Sequence, residues 1–243
     1  MMDLHTHLDL YPDAIRLAHK VNVTNSFTLC VTTSPRAWKA TSVVFSSHSN
    51  IHVAIGLHPE IVSSKFKEMD ILLQNISATR YVGEVGLDGS PQYDTSRVMQ
   101  KKVFENVLLE VSRTGGKILS IHSRRAVSAV LSSLRTYPNA GIPILHWFSG
   151  SLAELREAVN IGCYFSVNTL MATSAKGARL ISSMPRNRVL PESDGPFAIQ
   201  NGSPLSPVGS NDVAQKLSTI WRIPKEEVLL GFNDTLQHLL RFP

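Results

Sequence analysis

The stretch Met2-Asp3-Leu4-His5-Thr6-His7-Leu8 is predicted to form the first strand of the fold, and it carries two potential metal ligands. Side chains alternate along a strand, so His5 and His7 lie on one side and Leu4 and Thr6 on the other. Two imidazoles on one side of a strand reach a single divalent metal ion. A lone His-X-His pair has low specificity, and its alternative interpretation is a pair of hydrogen-bonded surface or core histidines.

Seven further strand-like runs follow, with helical patterns between them. The eight predicted strands cover residues 2–8, 26–32, 51–56, 80–85, 118–122, 142–146, 163–168 and 188–193. This alternation favours a (β/α)8 TIM barrel, an α/β fold of about 250 residues, so the chain, residues 1–243, fits a single domain. The alternative is a doubly wound open sheet, but the Gly-rich phosphate loop that often follows its first strand is not found.

Helix signals support the same alternation. Ser34-Pro35 supplies an N-cap residue followed by proline at the first helical position. Ser151 and Glu154 have the spacing of a capping box. Helical spacing of apolar residues predicts a last long helix marked by Val213, Leu217, Ile220 and Trp221.

The composition is that of an ordinary soluble enzyme. Hydrophobic residues make up 43% and charged residues 18% of the chain, and the net charge of +5 is compatible with a phosphate-bearing substrate but decides little. No apolar run approaches the roughly 20 residues of a membrane span, and polar residues interrupt the amino-terminal stretch where a secretory signal is apolar. We therefore expect a cytoplasmic protein with no membrane partner. Cys30 and Cys163 lack disulfide or metal-site spacing and are predicted to be buried.

Potential metal ligands recur where the predicted strands end. Each of them alone is more simply a loop residue, a helix cap or a hydrogen-bonded histidine. A barrel, however, brings the carboxyl ends of all its strands to one rim. The set then consists of four histidines and two carboxylates, for which coincidence is the poorer explanation. Its members are His5, His7, Glu84, His122, His146 and Asp194.

Six such ligands suit two divalent ions better than one. Two ions about 3.5–4 Å apart activate a water and stabilise the attacking and leaving oxygens at phosphorus. Asp194 is a candidate general base for that water. Imidazole and carboxylate ligands admit Zn²⁺, Mn²⁺ or Fe²⁺, whereas Mg²⁺ prefers more oxygen ligands, so the metal stays open. We expect His5, His7 and Asp194 at one ion, His122 and His146 at the other, and Glu84 bridging both.

With these motifs in order, the chain resembles the TatD family of metal-dependent deoxyribonucleases, which are amidohydrolase-like TIM barrels. The matching motifs run from the first strand to the eighth and are highly specific together. They are Asp3-Leu-His5-Thr-His7-Leu-Asp9, Gly56-Leu-His58-Pro59, Gly83-Glu84-Val-Gly-Leu-Asp88, His122-Ser-Arg124, His146-Trp-Phe-Ser-Gly150 and Glu192-Ser-Asp194-Gly-Pro196. The resemblance implies the six ligands named above, hydrolysis of DNA phosphodiesters and often 3′-exonuclease action.

More narrowly, the stretch His7-Leu-Asp-Leu-Tyr-Pro12 and the compact length resemble the TatD-type nucleases of Qat anti-phage defence systems. This resemblance implies partner proteins encoded in the same operon and a role in immunity.

The chain departs from the family pattern around the site. Glu60 stands where the family commonly has histidine, and Gly89-Ser-Pro91 follows where an aromatic residue is frequent. Trp147 replaces a smaller residue and Arg125 an acidic one, and loop 197–209 contains no Lys or Arg although relatives tend to carry a basic residue there. Because the predicted ligands are intact, these departures put the choice of substrate in doubt and leave hydrolysis supported.

Two further residues are candidates for substrate binding. His58 is expected to bind substrate or polarise a phosphoryl oxygen, with a structural loop histidine as the alternative. Arg124 lies on the predicted rim, where its guanidinium group suits bidentate phosphate contact, with a solvated helix start as the alternative. Phe148 is predicted to pack under the rim, and Asp3 or Asp9 to orient an imidazole of the first strand.

The principal hypothesis is a cytoplasmic, two-metal phosphodiesterase that hydrolyses DNA from single-stranded or frayed ends. A second is an amidohydrolase that cuts C–N or ester bonds, because the same activated water attacks carbonyl carbon and no basic stripe is evident. A third is a catalytically weak scaffold subunit that binds operon partners. The intact ligands argue against the third, because a scaffold does not need six of them.

Overall fold

Eight parallel strands form a barrel in the order in which they occur along the chain. All eight lie where the sequence predicts them, with ends that differ by no more than two residues. In the computed structural model, which describes residues 1–241, they are β1 (Met2–Thr6), β2 (Phe27–Val31), β3 (Ile51–Ala54), β4 (Tyr81–Gly86), β5 (Ile118–His122), β6 (Ile142–His146), β7 (Tyr164–Val167) and β8 (Val189–Pro191).

Pairing between neighbours closes this sheet on itself. β1 to β3 pair in parallel, as do β4 to β8, and a bridge between Ile55 and Val82 joins the two groups. The first and last strands meet just beyond β8, where the N–H of Asp194 donates to the carbonyl of His5 at 2.9 Å. One step further, the N–H of His7 donates to the carbonyl of Gly195 at 2.8 Å. The fold is therefore the predicted α/β barrel and not an open sheet.

Helices follow the strands along the chain. Within the described residues they are α1 (Ala14–Thr24), α2 (Pro35–Val44), α3 (Val62–Lys65), α4 (Met69–Asn75), α5 (Arg97–Thr114), α6 (Val127–Thr136), α7 (Leu152–Ile161), α8 (Thr169–Thr173), α9 (Ala175–Ser183), α10 (Ser210–Trp221) and α11 (Lys225–Arg241). Across residues 1–241, no helix combines the length and the apolar character that crossing a membrane requires.

The predicted helix starts are confirmed. The side chain of Ser34 accepts the N–H of Ala37 at the start of α2, which has proline in its first turn. Ser151 and Glu154 form the reciprocal hydrogen bonds of a capping box at the start of α7. Such caps satisfy backbone N–H groups that have no partner within the helix.

Two elements differ from the prediction. The helix marked by Val213 and Trp221 is α10, but it is not the last one, because α11 follows it. The short strands β9 (Ile199–Gln200) and β10 (Ser203–Pro204) form an antiparallel hairpin after β8 that strand–helix alternation does not predict.

One large apolar cluster holds the barrel and its helices together, and it runs from Met2 to Leu239. A smaller cluster, which contains Leu8, Val21 and Cys30, joins the segment after β1 to α1 and β2. Both cysteines are free and fully buried, as predicted. Apolar packing therefore fixes the strand positions, which in turn fix where each strand ends.

Candidate metal centre

The carboxyl ends of the strands bring the six predicted ligands to one mouth of the barrel. Ile118 of β5 pairs with Ile142 of β6, so the histidines that end these strands lie side by side, with ring centroids 5.5 Å apart. All six residues are buried, with no more than 7% of the surface of any of them exposed. His5 lies in β1 and His7 just after it, Glu84 lies in β4, His122 and His146 end β5 and β6, and Asp194 follows β8.

A glycine is required where the chain after β3 passes Glu84. A Cβ atom on Gly56 would lie 2.3 Å from the backbone nitrogen of Glu84 and 2.4 Å from its carbonyl oxygen. No side chain tolerates such a contact, so only glycine lets the two segments approach this closely. The N–H of Glu84 also donates to the carbonyl of Thr32 at 3.1 Å. These contacts fix the backbone from which the carboxylate extends into the barrel.

Glu84 is the centre of the cluster, because histidines surround both of its carboxylate oxygens. Its Oε2 lies 3.1 Å from Nε2 of His7 and 3.4 Å from Nε2 of His5. One carboxylate therefore lies between two groups of imidazoles. The second group faces Oε1, at 2.7 Å for Nδ1 of His122, 3.0 Å for Nε2 of His146 and 3.1 Å for Nε2 of His58.

Asp194 lies on the side of the cluster that faces β1. Its Oδ1 is 3.6 Å from Nε2 of His5 and 3.9 Å from Nε2 of His7. Asp194 has a φ of 51°, in the left-handed region that residues other than glycine seldom adopt. Backbone strain of this kind is concentrated at functional sites, where surrounding contacts maintain it.

Neighbouring charges redistribute protons within the cluster. Burial opposes ionisation of Glu84, but the charges of His58 and other imidazoles hold its pKa well below the usual value. Burial also lowers the pKa of His122, yet its hydrogen bonds to Asp88 and Glu84 raise this pKa to about 9. Burial keeps the pKa of His5 well below its usual value. Imidazoles with a lowered and with a raised pKa therefore lie in one cluster, and a divalent ion that binds here competes with protons for the ring nitrogens.

Two residues behind the cluster orient histidine rings, and the sequence does not predict this role for either. Oγ of Ser120 lies 2.7 Å from Nδ1 of His5, which turns Nε2 of that ring toward the centre. Oδ2 of Asp88 lies 2.8 Å from Nε2 of His122. A signal for Ser120 was present, because it lies two residues before His122 on β5 and so shares its face.

The prediction that Asp3 or Asp9 orients an imidazole is wrong. Asp3 accepts the backbone N–H of His5 at 3.1 Å and the hydroxyl of Ser193 at 2.6 Å. Asp9 accepts the hydroxyl of Thr41 at 3.1 Å. Nearer donors therefore engage both carboxylates, and burial raises the pKa of Asp3 to about 7.

Glu192 is a further acidic residue of the site whose role the sequence does not predict. Its Oε2 lies 3.9 Å from Nδ1 of His146. The hydroxyl of Ser166 and the side-chain amide of Asn168 both donate to this carboxyl group. Burial, followed by the nearby charge of Asp194, raises the pKa of Glu192 well above its usual value.

The two predicted substrate-binding residues lie in different environments. His58 belongs to the cluster, and it accepts a backbone N–H at Nδ1, so its Nε2 carries the proton that faces Glu84. Arg124 is exposed, and no side chain among residues 1–241 pairs with its guanidinium group. Phe148 packs in the core against Phe165, as predicted.

A groove of about 750 Å³ lies on the same rim, between the loops that follow β5 and β6. Arg125 and Ser149, which line it, each follow a predicted ligand by three residues, so at most about 11 Å separates the Cα atoms. Arg125 and Lys176 are its exposed cations. Glu154 also lines the groove, but its carboxylate is engaged in capping α7. The groove is therefore a positively charged path that starts near the cluster.

Two features of the cluster suit divalent metal ions. Its donors are imidazole nitrogens and carboxylate oxygens, and a buried nitrogen lacks a hydrogen-bond partner within residues 1–241. Nε2 of His5 is buried near oxygens of Glu84 and Asp194, yet no residue of the described chain completes a hydrogen bond to it. A buried polar atom without a partner is costly, and coordination of a cation removes that cost. Two candidate positions share Glu84, because atoms within 4.8 Å of one another come from His5, His7 and Glu84 and again from His58, Glu84 and His122.

Curated proteins that are similar in sequence include a deoxyribonuclease and a metal-dependent hydrolase. Human deoxyribonuclease TATDN3 is 28% identical over 207 residues, which cover 79% of this chain and 75% of that protein. The metal-dependent hydrolase YabD of Bacillus subtilis, whose function is uncharacterised, is 27% identical over 201 residues, covering 79% of this chain and 78% of YabD. The chain spans 50% and 52% of two further curated relatives, from Encephalitozoon cuniculi and Mus musculus.

The fold has a solved counterpart in YjjV, a TatD homolog from Escherichia coli K12. The two structures superpose with a TM-score of 0.89 at 21% sequence identity, covering 100% of this chain and 98% of YjjV. At this identity the likeness concerns the fold alone. The sequence pattern described as TatD related DNase, however, matches residues 2–241. This chain therefore belongs to the TatD related DNase family.

Proposed function

We propose that this protein is a two-metal phosphodiesterase that hydrolyses DNA. The observation that carries the proposal is the position of Glu84 between two groups of histidines, with one carboxylate oxygen toward each. The family description, which names DNases, and the name of the metal-dependent hydrolase YabD support it. In this assignment His5, His7 and Asp194 would hold one ion, His122 and His146 would hold the other, and Glu84 would be shared by both.

Two divalent ions bound there supply Lewis acidity that lowers the pKa of a water and neutralises charge on a phosphodiester. Asp194 is the residue that takes the proton from the attacking water. Burial raises the pKa of its carboxyl group, although His146 opposes this, and a carboxylate with a raised pKa is a stronger base. His58 presents an N–H at Nε2 on the same side of Glu84, where it donates to a phosphoryl oxygen.

The substrate in this proposal is the end of a single or frayed DNA strand. The ligands lie inside the barrel mouth with little exposed surface, so a flexible strand end reaches them more readily than an intact duplex does. Arg124, Arg125 and Lys176 are exposed cations on the same rim, and guanidinium and ammonium groups bind phosphates without regard to base sequence. We therefore infer exonucleolytic action, with the rest of the strand lying along the groove.

The test is hydrolysis of end-labelled single-stranded and duplex DNA by protein loaded with Mn²⁺, Zn²⁺ or Mg²⁺. Stepwise release of nucleotides is expected, and Asp194→Ala or His122→Ala should abolish it. Arg135→Ala, on the far end of α6, is the matched control and should retain activity. Turnover of small amides or esters without any nuclease activity would favour the amidohydrolase alternative.

The remaining expectations stay predictions: a single domain that works in the cytoplasm and takes part in anti-phage defence with operon-encoded partners. A phage plating assay on cells that carry the gene with its neighbouring genes tests the last of these. Loss of protection in the Asp194→Ala strain is expected. Full protection by that strain would instead favour a scaffold role.

A further inference from the structure

Phe197 is an exposed aromatic residue beside the metal centre. Phe197 is 60% exposed, and every other Phe, Tyr or Trp within residues 1–241 is more deeply buried. Its ring meets the ring of His7 edge to face, with centroids 4.9 Å apart and an interplanar angle of 82°. One side of Phe197 therefore contacts a predicted ligand, while much of its surface faces the solvent at the barrel mouth.

Hydrogen bonds anchor the loop on both sides of Phe197. The carbonyl of Gly195 accepts the N–H of His7 at 2.8 Å, and the N–H of Ala198 donates to the carbonyl of Asp194 at 2.9 Å. The hydroxyl of Tyr11 donates to the carbonyl of Leu205 at 2.6 Å, farther along the same loop. The loop thus presents Phe197 at a fixed place relative to the centre.

The chemistry around Phe197 is apolar. Ala198 is buried, whereas Phe197 and Ile199 on either side of it are exposed, so both project from the same face of the loop. Loop 197–209 contains no Lys or Arg, so it offers no cation to a phosphate. The loop instead places the aromatic ring of Phe197 beside the centre. A nucleobase is the partner that suits an exposed ring next to a proposed phosphodiester site.

We propose that Phe197 stacks on the base of the terminal nucleotide whose phosphodiester bond is cut. This role rests on the proposed function and deepens it, because it makes the substrate a strand end whose base is unstacked from its neighbours. A base in the interior of a duplex has no free face for Phe197.

The experiment crosses variants of Phe197 with substrates that carry or lack the terminal base. Metal-loaded protein is assayed on a single-stranded oligonucleotide with a normal 3′-terminal nucleotide and on one that ends in a tetrahydrofuran abasic residue. Phe197→Ala should lower kcat/KM about tenfold on the first and leave the second within about twofold. Phe197→Tyr should restore the wild-type value. Val98→Ala removes another exposed apolar side chain, on α5, and should change neither.

Two outcomes would overturn the stacking role. Equal losses on both substrates would mean that Phe197 only supports His7, and no loss on the base-bearing substrate would mean that no base meets the ring. A binding measurement keeps the test independent of hydrolysis. The fluorescence of a terminal 2-aminopurine in a phosphorothioate oligonucleotide should be quenched by the wild-type protein and by Phe197→Tyr, but not by Phe197→Ala. Absence of hydrolysis with this pattern of quenching would refute the proposed function alone.

Discussion

The metal centre and loop 197–209 meet at His7, yet they are built from opposite kinds of side chain. In the centre, every predicted ligand is buried and contacts other ionisable groups. In the loop, Phe197 and Ile199 are exposed, and hydrogen bonds to the loop backbone hold them in place. A change in the centre alters several neighbours at once, whereas a change in the loop alters one contact. Many mutual contacts therefore hold the predicted ligands in place, whereas a side chain of the loop can change without altering those contacts.

The largest effect is expected for Glu84→Gln, because this change removes the charge that both histidine groups face. Metal binding and phosphodiester hydrolysis should each fall by more than about 100-fold, since loss of even the outer partners of metal ligands costs about 10–100-fold. Calorimetric titration with Mn²⁺ and a DNA hydrolysis assay measure the two quantities.

Glu68→Gln is the matched control for this change, because Glu68 is also a buried glutamate but pairs with Lys65 and Arg36 instead of histidines. It should leave metal binding unchanged. Wild-type metal affinity in Glu84→Gln would show that metal binding does not depend on the charge of Glu84.

The next largest effect is expected for Gly56→Ala. The added Cβ would lie 2.3 Å from the nitrogen of Glu84, so the backbone must move, at a cost of about 2–3 kcal/mol in the free energy of unfolding. Urea denaturation measures this loss, and weaker metal binding should accompany it. Gly231→Ala on α11 meets no atom within 4 Å and should stabilise the protein by up to about 1 kcal/mol. Similar free energies of unfolding for the two variants would contradict the close approach of Gly56 to the backbone of Glu84.

Metal binding should become tighter as pH rises toward about 9. Burial lowers the pKa of His122, but hydrogen bonds to Asp88 and Glu84 raise it to about 9 in the metal-free protein. Imidazole binds metal only when neutral, so below that pH the ion must displace a proton, and the proton is lost from the free protein above it. Proton release at pH 7, measured by calorimetry in two buffers of different protonation enthalpy, is the expected signature.

Asp88→Asn sharpens this prediction. It removes the negative charge beside His122, so the pKa of that imidazole should fall, less proton should be released at pH 8, and metal affinity should drop about tenfold. Asp94→Asn, an exposed carboxylate paired with Arg97, is the control and should change none of these quantities. Unaltered proton release in Asp88→Asn would show that other groups supply the proton.

The smallest effect is expected in the groove. The double variant Arg125→Ala/Lys176→Ala should raise KM for single-stranded DNA several-fold and reduce the salt dependence of log affinity by about 1.4, or about 0.7 for each lost phosphate contact. Activity on a dinucleotide should persist, because a dinucleotide does not extend along the groove. The double variant Arg113→Ala/Arg135→Ala loses the same charge from the last turns of α5 and α6. An equal change in that control would reveal a general effect of net charge.

The sequence predicts the barrel well because its signals are local. Strands such as β5 and β6 are short apolar runs that end in histidine, and one pairing register suffices to place His122 beside His146. The contacts of Asp88 and Glu192 depend instead on how separate strand ends pack together, which no local pattern specifies. The β9–β10 hairpin has only two residues in each strand, too few for alternation to be recognised.

Glu84 also shows the difference between what a local sequence pattern predicts and what depends on the packing of distant segments. That a carboxylate would lie at the rim follows from its place in β4, but its contact with five histidines depends on the close approach at Gly56. Likewise, Phe197 cannot be assigned a position from sequence, because two of the hydrogen bonds that anchor its loop, His7 to Gly195 and Tyr11 to Leu205, join distant parts of the chain.

The bonds between the segment after β8 and β1 also determine when the site forms during synthesis. His5 and His7 are made long before the partners that join them, Asp194 and Gly195, which come after β8. A nascent chain that has emerged from the ribosome only as far as β7 has an open barrel and lacks one of the six predicted ligands. The cluster of six predicted ligands is therefore completed only after β8 has been synthesised, so His5 and His7 lack their last partner until then.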